Sequence, residues 1–228
     1  MVTNTKVLLD SEQKEGTGIP LQTFVMNSQF VIWTIRALTR DAVHEYRFAT
    51  QQATVLMIPV DGSYASLFLA GNTLYFEIPT QPANIPYLWN LDQTTPPVQL
   101  PFEVLLNSTF NGNYIITDSI NFSGPSNPLT LYNIVTGKLT KAWGPRCIRP
   151  GIAPDRPYAI CIDYDASTWE LVRIPSGAST PFAVGEADIG AFGYNQIVNG
   201  NVYWLPLSNL TTSNHSNNQV DYFTLPTT

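Results

Sequence analysis

The chain has 228 residues, a net charge of −6 and charged side chains at only 12% of positions, about half the usual share for a globular protein. Its eleven Lys and Arg residues form no evident basic run, which argues against nucleic acid and acidic lipid surfaces as partners. The longest apolar runs have strand length, so no membrane insertion is predicted, and residues 1–10 lack the apolar core of a signal peptide.

A pair of β-branched and aromatic strands joined by a turn recurs about every 40–50 residues, the repeat length of propeller blades. With its flanking strands each pair predicts a four-stranded blade. The first blade takes Leu21–Met26, Phe30–Arg36, Val43–Ala49 and Thr54–Val60, and the second takes Tyr64–Ala70, Thr73–Ile78, Pro86–Asp92 and Pro97–Phe102. The third takes Glu103–Phe110, Asn113–Ser119, Leu129–Val135 and Lys138–Trp143, and the fourth takes Arg146–Ala153, Tyr158–Tyr164, Trp169–Pro175 and Thr180–Val184.

The fifth blade is one strand short at the end of the chain. It takes Ile189–Val198, Val202–Leu207 and Val220–Leu225. The strand-like segment Lys6–Asp10 is predicted to add to this blade and close the ring, which removes an open sheet edge. Residues that tolerate positive φ join the first two strands of three blades, at Gly71-Asn72, Asn111-Gly112-Asn113 and Asn199-Gly200-Asn201.

These repeats and turns resemble those of the five-bladed β-propellers over the whole chain, residues 1–228, as a single all-β domain. The tachylectin-type lectins are the most similar in size and blade count. The resemblance is architectural, because their recurring Gly-aromatic signatures and the Trp-Asp dipeptide of WD40 blades are both absent. It implies a propeller fold and assigns no site residues.

The two cysteines predict a cross-strand disulfide. Cys147 and Cys161 lie on the first and second strands of the fourth blade, equidistant from a turn near Pro154, so they are expected to lie directly opposite each other. Such a bond implies an oxidising compartment, whereas two buried thiols would suit a reducing one.

The acidic residues divide unevenly between the two ends of the predicted blades. One face of the ring is expected to carry nine of them: Glu12, Glu15, Asp41, Asp61, Glu103, Asp118, Asp165, Glu186 and Asp188. This face is either a ligand pocket at the mouth of the channel or an ordinary solvated surface. If the protein is an enzyme, Asp61, Asp118 and Asp188 are the predicted catalytic carboxylates. No cofactor or metal is predicted; calcium is the ion these acids could ligate, but they lack the usual ligand spacing.

Residues in or near loops complete the predicted ligand-binding set. Trp143 and Arg146 flank a blade junction, where an indole beside a guanidinium suits an apolar or anionic group, and Tyr164 is a loop aromatic. The full predicted set is Asp61, Asp118, Trp143, Arg146, Tyr164, Asp165, Glu186 and Asp188.

Three functions fit these features. The first is a non-enzymatic binding propeller for a glycan or other small polar ligand, in the manner of a lectin. The second is a small glycosidase, lyase or cyclase with one pocket at the acidic mouth. The third is a structural or attachment protein of a virus or secretion device. The low charge favours an extracellular or virion-associated protein over a cytoplasmic one. The four sequons, at Asn107, Asn121, Asn209 and Asn214, do not decide the compartment, since about this many are expected by chance.

Overall fold

The computed structural model describes residues 21–36, 41–57, 66–80, 82–105, 107–118, 128–163, 168–183, 195–198, 200–204 and 221–226. These residues form strands and turns, with no helix among them. It follows that the same ranges contain no helix with the length and apolar character needed to span a membrane.

The strands form five antiparallel sheets, each a simple meander in chain order. Sheet A contains β1 (Leu21–Met26), β2 (Phe30–Arg36), β3 (Asp41–Arg47) and β4 (Gln52–Met57). Sheet B contains β5 (Leu67–Ala70), β6 (Thr73–Pro79), β7 (Asn84–Asn90) and β8 (Val98–Gln99). Sheet C contains β9 (Ser108–Phe110), β10 (Tyr114–Thr117), β11 (Pro128–Asn133) and β12 (Lys138–Arg146).

Sheets D and E complete the set. Sheet D contains β13 (Ile148–Ile152), β14 (Tyr158–Asp163), β15 (Thr168–Arg173) and β16 (Ser179–Ala183). Sheet E contains β17 (Asn195–Val198), β18 (Asn201–Trp204) and β19 (Asp221–Thr224). Four sheets therefore have four strands and one has three. The predicted closing segment Lys6–Asp10 lies outside the described residues, so closure of a five-bladed ring stays a prediction.

The predicted hairpin turns are confirmed. Gly71, Gly112 and Gly200 each have a positive φ between the first two strands of sheets B, C and E. Residues other than Gly, Asn and Asp are strained at positive φ, which explains why Gly and Asn recur in these turns.

The chain divides into two compact units, and the first contains sheets A and B. Their facing side chains form one apolar core. From sheet A it takes Phe30, Ile32 and Val43, and from sheet B it takes Leu67, Leu74 and Phe76. Strand β1 lies beside β5, so the first strands of the two sheets are neighbours.

In the second unit, sheet D packs through both of its faces. Ala159, Cys161 and Val172 point toward sheet C, where Leu129 and Leu131 meet them. The alternate side chains of the same strands form a separate core with sheet E that contains Tyr158, Ile160, Ile162, Trp169 and Val202. Apart from Glu170, the buried side chains of β14 and β15 are consequently apolar on both faces, as a sheet between two neighbours requires.

The predicted disulfide is confirmed, although the predicted register is wrong. Cys147 and Cys161 are bonded, with Cα atoms 5.6 Å apart, and both are buried in the core between sheets C and D. Ile162 pairs with Ile148 and Ile160 pairs with Gly151, so Cys161 faces a bulge at residues 149–150 and Cys147 lies just before β13. Closing a loop of this length stabilises a fold by about 3 kcal/mol through chain entropy.

Neighbouring sheets are also joined by side chains of their first hairpin turns. Asn27 Oδ1 accepts hydrogen bonds from the backbone N–H groups of Gln29 and Phe30, at 2.8 and 2.9 Å, which orders the turn of sheet A. Its Nδ2 donates to Gly71 O in the corresponding turn of sheet B, at 2.8 Å. One side chain therefore both shapes its own turn and binds the next one.

Sheets C and D repeat this arrangement. Asn111 Oδ1 accepts hydrogen bonds from the N–H groups of Asn113 and Tyr114, at 3.1 and 3.0 Å, and its Nδ2 donates to Ala153 O at 3.0 Å. Between sheets D and E the link is made by Arg156, which donates to the carbonyls of Leu225 and Pro226.

We expect Asn111→Asp to lower the free energy of unfolding by about 1–2 kcal/mol, because Asp keeps the acceptor for the turn but places an oxygen against Ala153 O. Urea unfolding followed by tryptophan fluorescence measures this loss. Asn113→Asp makes the same chemical change two residues away on an exposed side chain. Its free energy of unfolding should stay within about 0.5 kcal/mol of that of wild type. Equal losses in the two variants would show that the link between turns contributes nothing.

Candidate functional site

Three of the predicted site residues lie in the described part of the chain, namely Asp118, Trp143 and Arg146. The predicted residues Asp61, Tyr164, Asp165, Glu186 and Asp188 lie outside the described residues. Convergence of the three carboxylates named for an enzyme therefore stays a prediction.

Asp118 is buried, and its predicted role as a ligand-binding or catalytic residue stays a prediction. Its side chain follows β10 and is 1% exposed. One carboxylate oxygen accepts a hydrogen bond from the backbone N–H of Asn107 at 3.0 Å, and the other accepts from Asn107 Nδ2 at 2.9 Å. The carboxylate thus joins the end of β10 to the residue before β9, and the same contact engages the side-chain amide of one sequon.

Trp143 was expected near a loop, and it instead lies within β12 and is 4% exposed. The strand continues past Trp143 to Arg146, so the indole points into the core between sheets C and D. Its Nε1 donates to Pro175 O at 2.8 Å. The indole has no open face for a ligand, whereas Arg146, the last residue of β12, is exposed.

An exposed carboxylate with a fixed orientation lies at the turn between β7 and β8. The side chain of Asp92 is 51% exposed. Asn72 Nδ2 donates to one of its oxygens, and Arg47 Nη1 lies 3.8 Å from the other. Asn90 Oδ1 accepts from the backbone N–H of Asp92 at 3.0 Å. These four residues, Arg47, Asn72, Asn90 and Asp92, are named the Asp92 group.

Arg47 is held in place on several sides. Its Nη2 donates to Leu91 O at 2.6 Å, and its Nε lies 2.9 Å from Oε1 of the buried Glu45. The guanidinium carbon lies 5.0 Å from the centre of the Phe30 ring, which adds a cation–π contact. An arginine with this many partners offers a fixed positive charge beside Asp92.

A half-buried indole belongs to the same turn. Trp89 lies on β7, and its Nε1 donates to Thr95 O at 3.0 Å. Thr95 Oγ1 in turn donates to Gln93 Oε1 at 3.2 Å. The indole also packs against the apolar core of sheets A and B, while the carboxylate and amide groups of the turn supply acceptors and donors for hydroxyl groups.

A second polar group lies on the face of sheet D that carries Cys161. Glu170 is 7% exposed, and Thr168 Oγ1 donates to its Oε1 at 3.4 Å. Burial raises the pKa of the Glu170 carboxyl, hydrogen bonds from Ser179 and Thr168 oppose this, and the negative charge of Asp163 raises it further. A carboxyl that keeps its proton above the ordinary range can act as an acid or a base.

Metal ligands were not predicted beyond the calcium alternative. Among the residues placed by the structure, no three His, Cys, Asp or Glu side chains gather in a geometry that could hold a metal ion. The nine acids of the predicted acidic face lie partly outside these residues, so the calcium alternative stays untested there.

Sequence reasoning missed the Asp92 group. Asp92 is not among the predicted site residues. The group depends on the turns after β5 and β7 coming together across sheet B, and Asn72 and Asp92 are 20 residues apart. The one local signal is Asn90-Leu91-Asp92, where an Asn two residues before an Asp is typical of a tight polar turn.

Comparisons with known proteins identify the fold. No protein-family model matches the chain, and neither does any curated protein sequence. Among solved structures, TolB from Acinetobacter baumannii is 12% identical with a TM-score of 0.56, over 82% of this chain and 51% of that one. An oligogalacturonate lyase in complex with manganese is 13% identical with a TM-score of 0.61, over 90% of this chain and 65% of that one.

A third similar structure is the β-propeller domain of the Trilobed protease from Pyrococcus furiosus. It is 11% identical with a TM-score of 0.55, over 81% of this chain and 60% of that domain. The chain thus spans between half and two thirds of the length of these three proteins. At such identities the likeness shows the fold alone, and the fold is a β-propeller.

We expect Glu170→Gln to change how stability depends on pH. Because the folded-state pKa is raised, the folded protein binds the proton more tightly, and stability falls as the pH rises from the ordinary value of 4.5 through the raised pKa. The amide does not titrate, so the variant should gain stability over wild type as the pH goes from 4.5 to 7.

Urea unfolding of both proteins across this pH range measures the difference. Glu103→Gln removes one negative charge from an exposed position and serves as the matched control. A difference between Glu170→Gln and wild type that stays constant with pH would contradict a raised folded-state pKa.

Proposed function

We propose that the protein is a non-enzymatic binding propeller whose ligand is a carbohydrate. The observation that carries the proposal is the Asp92 group, an exposed carboxylate held by Asn72 and Arg47, at a turn where Thr95 O also accepts a hydrogen bond from the half-buried indole of Trp89. Sugars present neighbouring hydroxyl groups around an apolar ring face. Carboxylate and amide oxygens accept from the hydroxyl groups, and an indole packs against the ring.

The use of the buried carboxylates supports binding over catalysis. Glu45 is held by Arg47, Glu77 Oε1 accepts from Tyr75 Oη at 2.7 Å, and Asp118 is held by Asn107. Each contact joins residues of one sheet, so these acids act in the scaffold. A fixed scaffold with exposed turns is the usual basis of a binding site.

Glu170 favours a second candidate, a small enzyme of the glycosidase or lyase class. Its pKa is raised, a second carboxylate, Asp163, lies close enough to contribute to the shift, and the predicted site residues Tyr164 and Asp165 follow Asp163 directly in the sequence. Glu170 ranks second because it is nearly fully buried and its carboxylate is engaged by Thr168 and Ser179.

We expect Asp92→Asn to weaken glycan binding about tenfold or more, because a charge-assisted acceptor is replaced by a neutral one. An array of neutral and acidic glycans identifies the ligand, and calorimetry with wild type and the variant measures the loss. Asp155→Asn, at an exposed turn of sheet D, is the matched control and should bind like wild type. Binding to no glycan at all, or equal binding by both variants, would refute the proposal.

The ring itself is proposed to have five blades, with Lys6–Asp10 as the last strand of sheet E. In the described part of the chain, sheet E has three strands where each other sheet has four, and β19 has a partner on one side only. A Pro in the middle of a strand removes a ladder hydrogen bond, so Leu8→Pro should lower the melting temperature by several degrees. Thr3→Pro lies before the segment and should leave the melting temperature unchanged. Equal melting temperatures of Leu8→Pro and Thr3→Pro would contradict closure.

A buried disulfide and a low content of charge support an extracellular or virion-associated location. We expect the protein secreted into an oxidising compartment of an expression host to carry the Cys147–Cys161 bond, and recovery with two free thiols would contradict this part of the proposal.

A further inference from the structure

Four of the eleven cations of this chain lie in one short segment. Lys138, Lys141, Arg146 and Arg149 fall within twelve residues, and the sequence from 119 to 154 contains no Asp or Glu. Taking these four cations from the net charge of −6 leaves −10 for the rest of the chain.

The structure places three of these cations on an outer strand. β12 is the edge strand of sheet C, and Lys138, Lys141 and Arg146 are all exposed along it. The last strands of the three other four-stranded sheets, β4, β8 and β16, contain no charged residue. A charged outer strand is therefore a particular feature of sheet C and not a general property of the fold.

The dimensions of β12 suit an extended ligand. Because β12 bulges twice, its nine residues pair with only the six of β11 and span about 20 Å, with Lys138 and Lys141 roughly 10 Å apart along the strand. Positive charges at intervals along a line are complementary to a linear polyanion and too far apart for one small anion.

The backbone of β12 argues against an acidic peptide that adds as a further strand. Its pairing with β11 shifts register twice, and Ala142 has a φ of 53°. Irregular edges of this kind interrupt the even spacing of backbone donors and acceptors that strand addition requires.

The side chains of β12 argue against single-stranded nucleic acid. Proteins that bind single strands stack bases on exposed aromatic side chains. Trp143 is the one aromatic residue of β12, and it is buried.

We infer that β12 is a docking strand for an anionic polysaccharide, bound through Lys138, Lys141 and Arg146. The choice of a glycan among polyanions rests on the proposed function. The site itself lies on a different sheet from the Asp92 group, so the two can be tested separately.

The test compares the binding of dextran sulfate and neutral dextran of equal length by wild type, Lys141→Glu and Arg173→Glu. Both variants change the net charge equally, and Arg173 is an exposed cation on β15. We expect wild type to bind only the sulfated polymer and Lys141→Glu to weaken this binding about tenfold, since reversal places like charges together. Arg173→Glu should bind as wild type does.

Lys141→Ala supplies a second readout. Each cation that contacts a polyanion contributes to the dependence of affinity on salt. The slope of log Kd against log salt concentration should therefore be smaller by about one in Lys141→Ala than in wild type. Equal losses in Lys141→Glu and Arg173→Glu, or tighter binding of oligothymidylate or polyglutamate than of dextran sulfate, would overturn the inference.

The outcomes separate this inference from the proposed function. If neutral glycans bind through Asp92 while dextran sulfate binds no better than dextran, the docking strand is refuted and the glycan-binding function stands. If no glycan binds in the array and dextran sulfate still binds through Lys141, the proposed function fails and β12 is a polyanion site of its own.

Discussion

The structure depends on sheets that are apolar on both faces. In sheet D, alternate side chains of β14 and β15 enter two separate cores, one shared with sheet C and the other with sheet E. Such a sheet is stable only between two neighbours, because either face would expose a large apolar area if left open. The strands of a propeller meet this requirement by stacking blade on blade, and turns and outer strands are left as the surface on which ligands can bind.

That constraint also explains where the polar side chains lie. Within the strands, buried carboxylates such as Glu45 and Glu170 are paired with Arg, Thr or Ser, because an unpaired charge between two sheets is costly. Exposed charge is found at turns, as in the Asp92 group, and along β12. The two sites proposed for ligands are thus places where charged side chains are exposed to solvent.

Much of the fold could be predicted because it is encoded locally. Recurring β-branched and aromatic segments predicted the strands of all five sheets, and Gly and Asn residues predicted three of their turns. The disulfide followed from the positions of Cys147 and Cys161 around one turn. The bulge opposite Cys161 could not be predicted, because residues 149–150 carry no signal that distinguishes a bulge from a regular strand.

The sites were harder to predict because they depend on contacts between distant segments. Trp143 is followed by Gly144 and Pro145, which suggests a loop, yet β12 continues through both residues and the indole is covered by the turn at Pro175. Asp92 acquires its orientation from Asn72 and Arg47, which belong to two different sheets. The basic strand was overlooked because charge along a chain becomes a surface only once the strand order is known.

Native-state hydrogen exchange of the amides in sheets C and D tests the packing of sheet D most directly. β14 is paired on both sides and buried on both faces, so its amides should exchange only through global unfolding, while those of the outer strands β12 and β16 exchange through local opening. β14 amides that exchange as fast as those of β12 would contradict the account, since they would show that sheet D is not held between two neighbours.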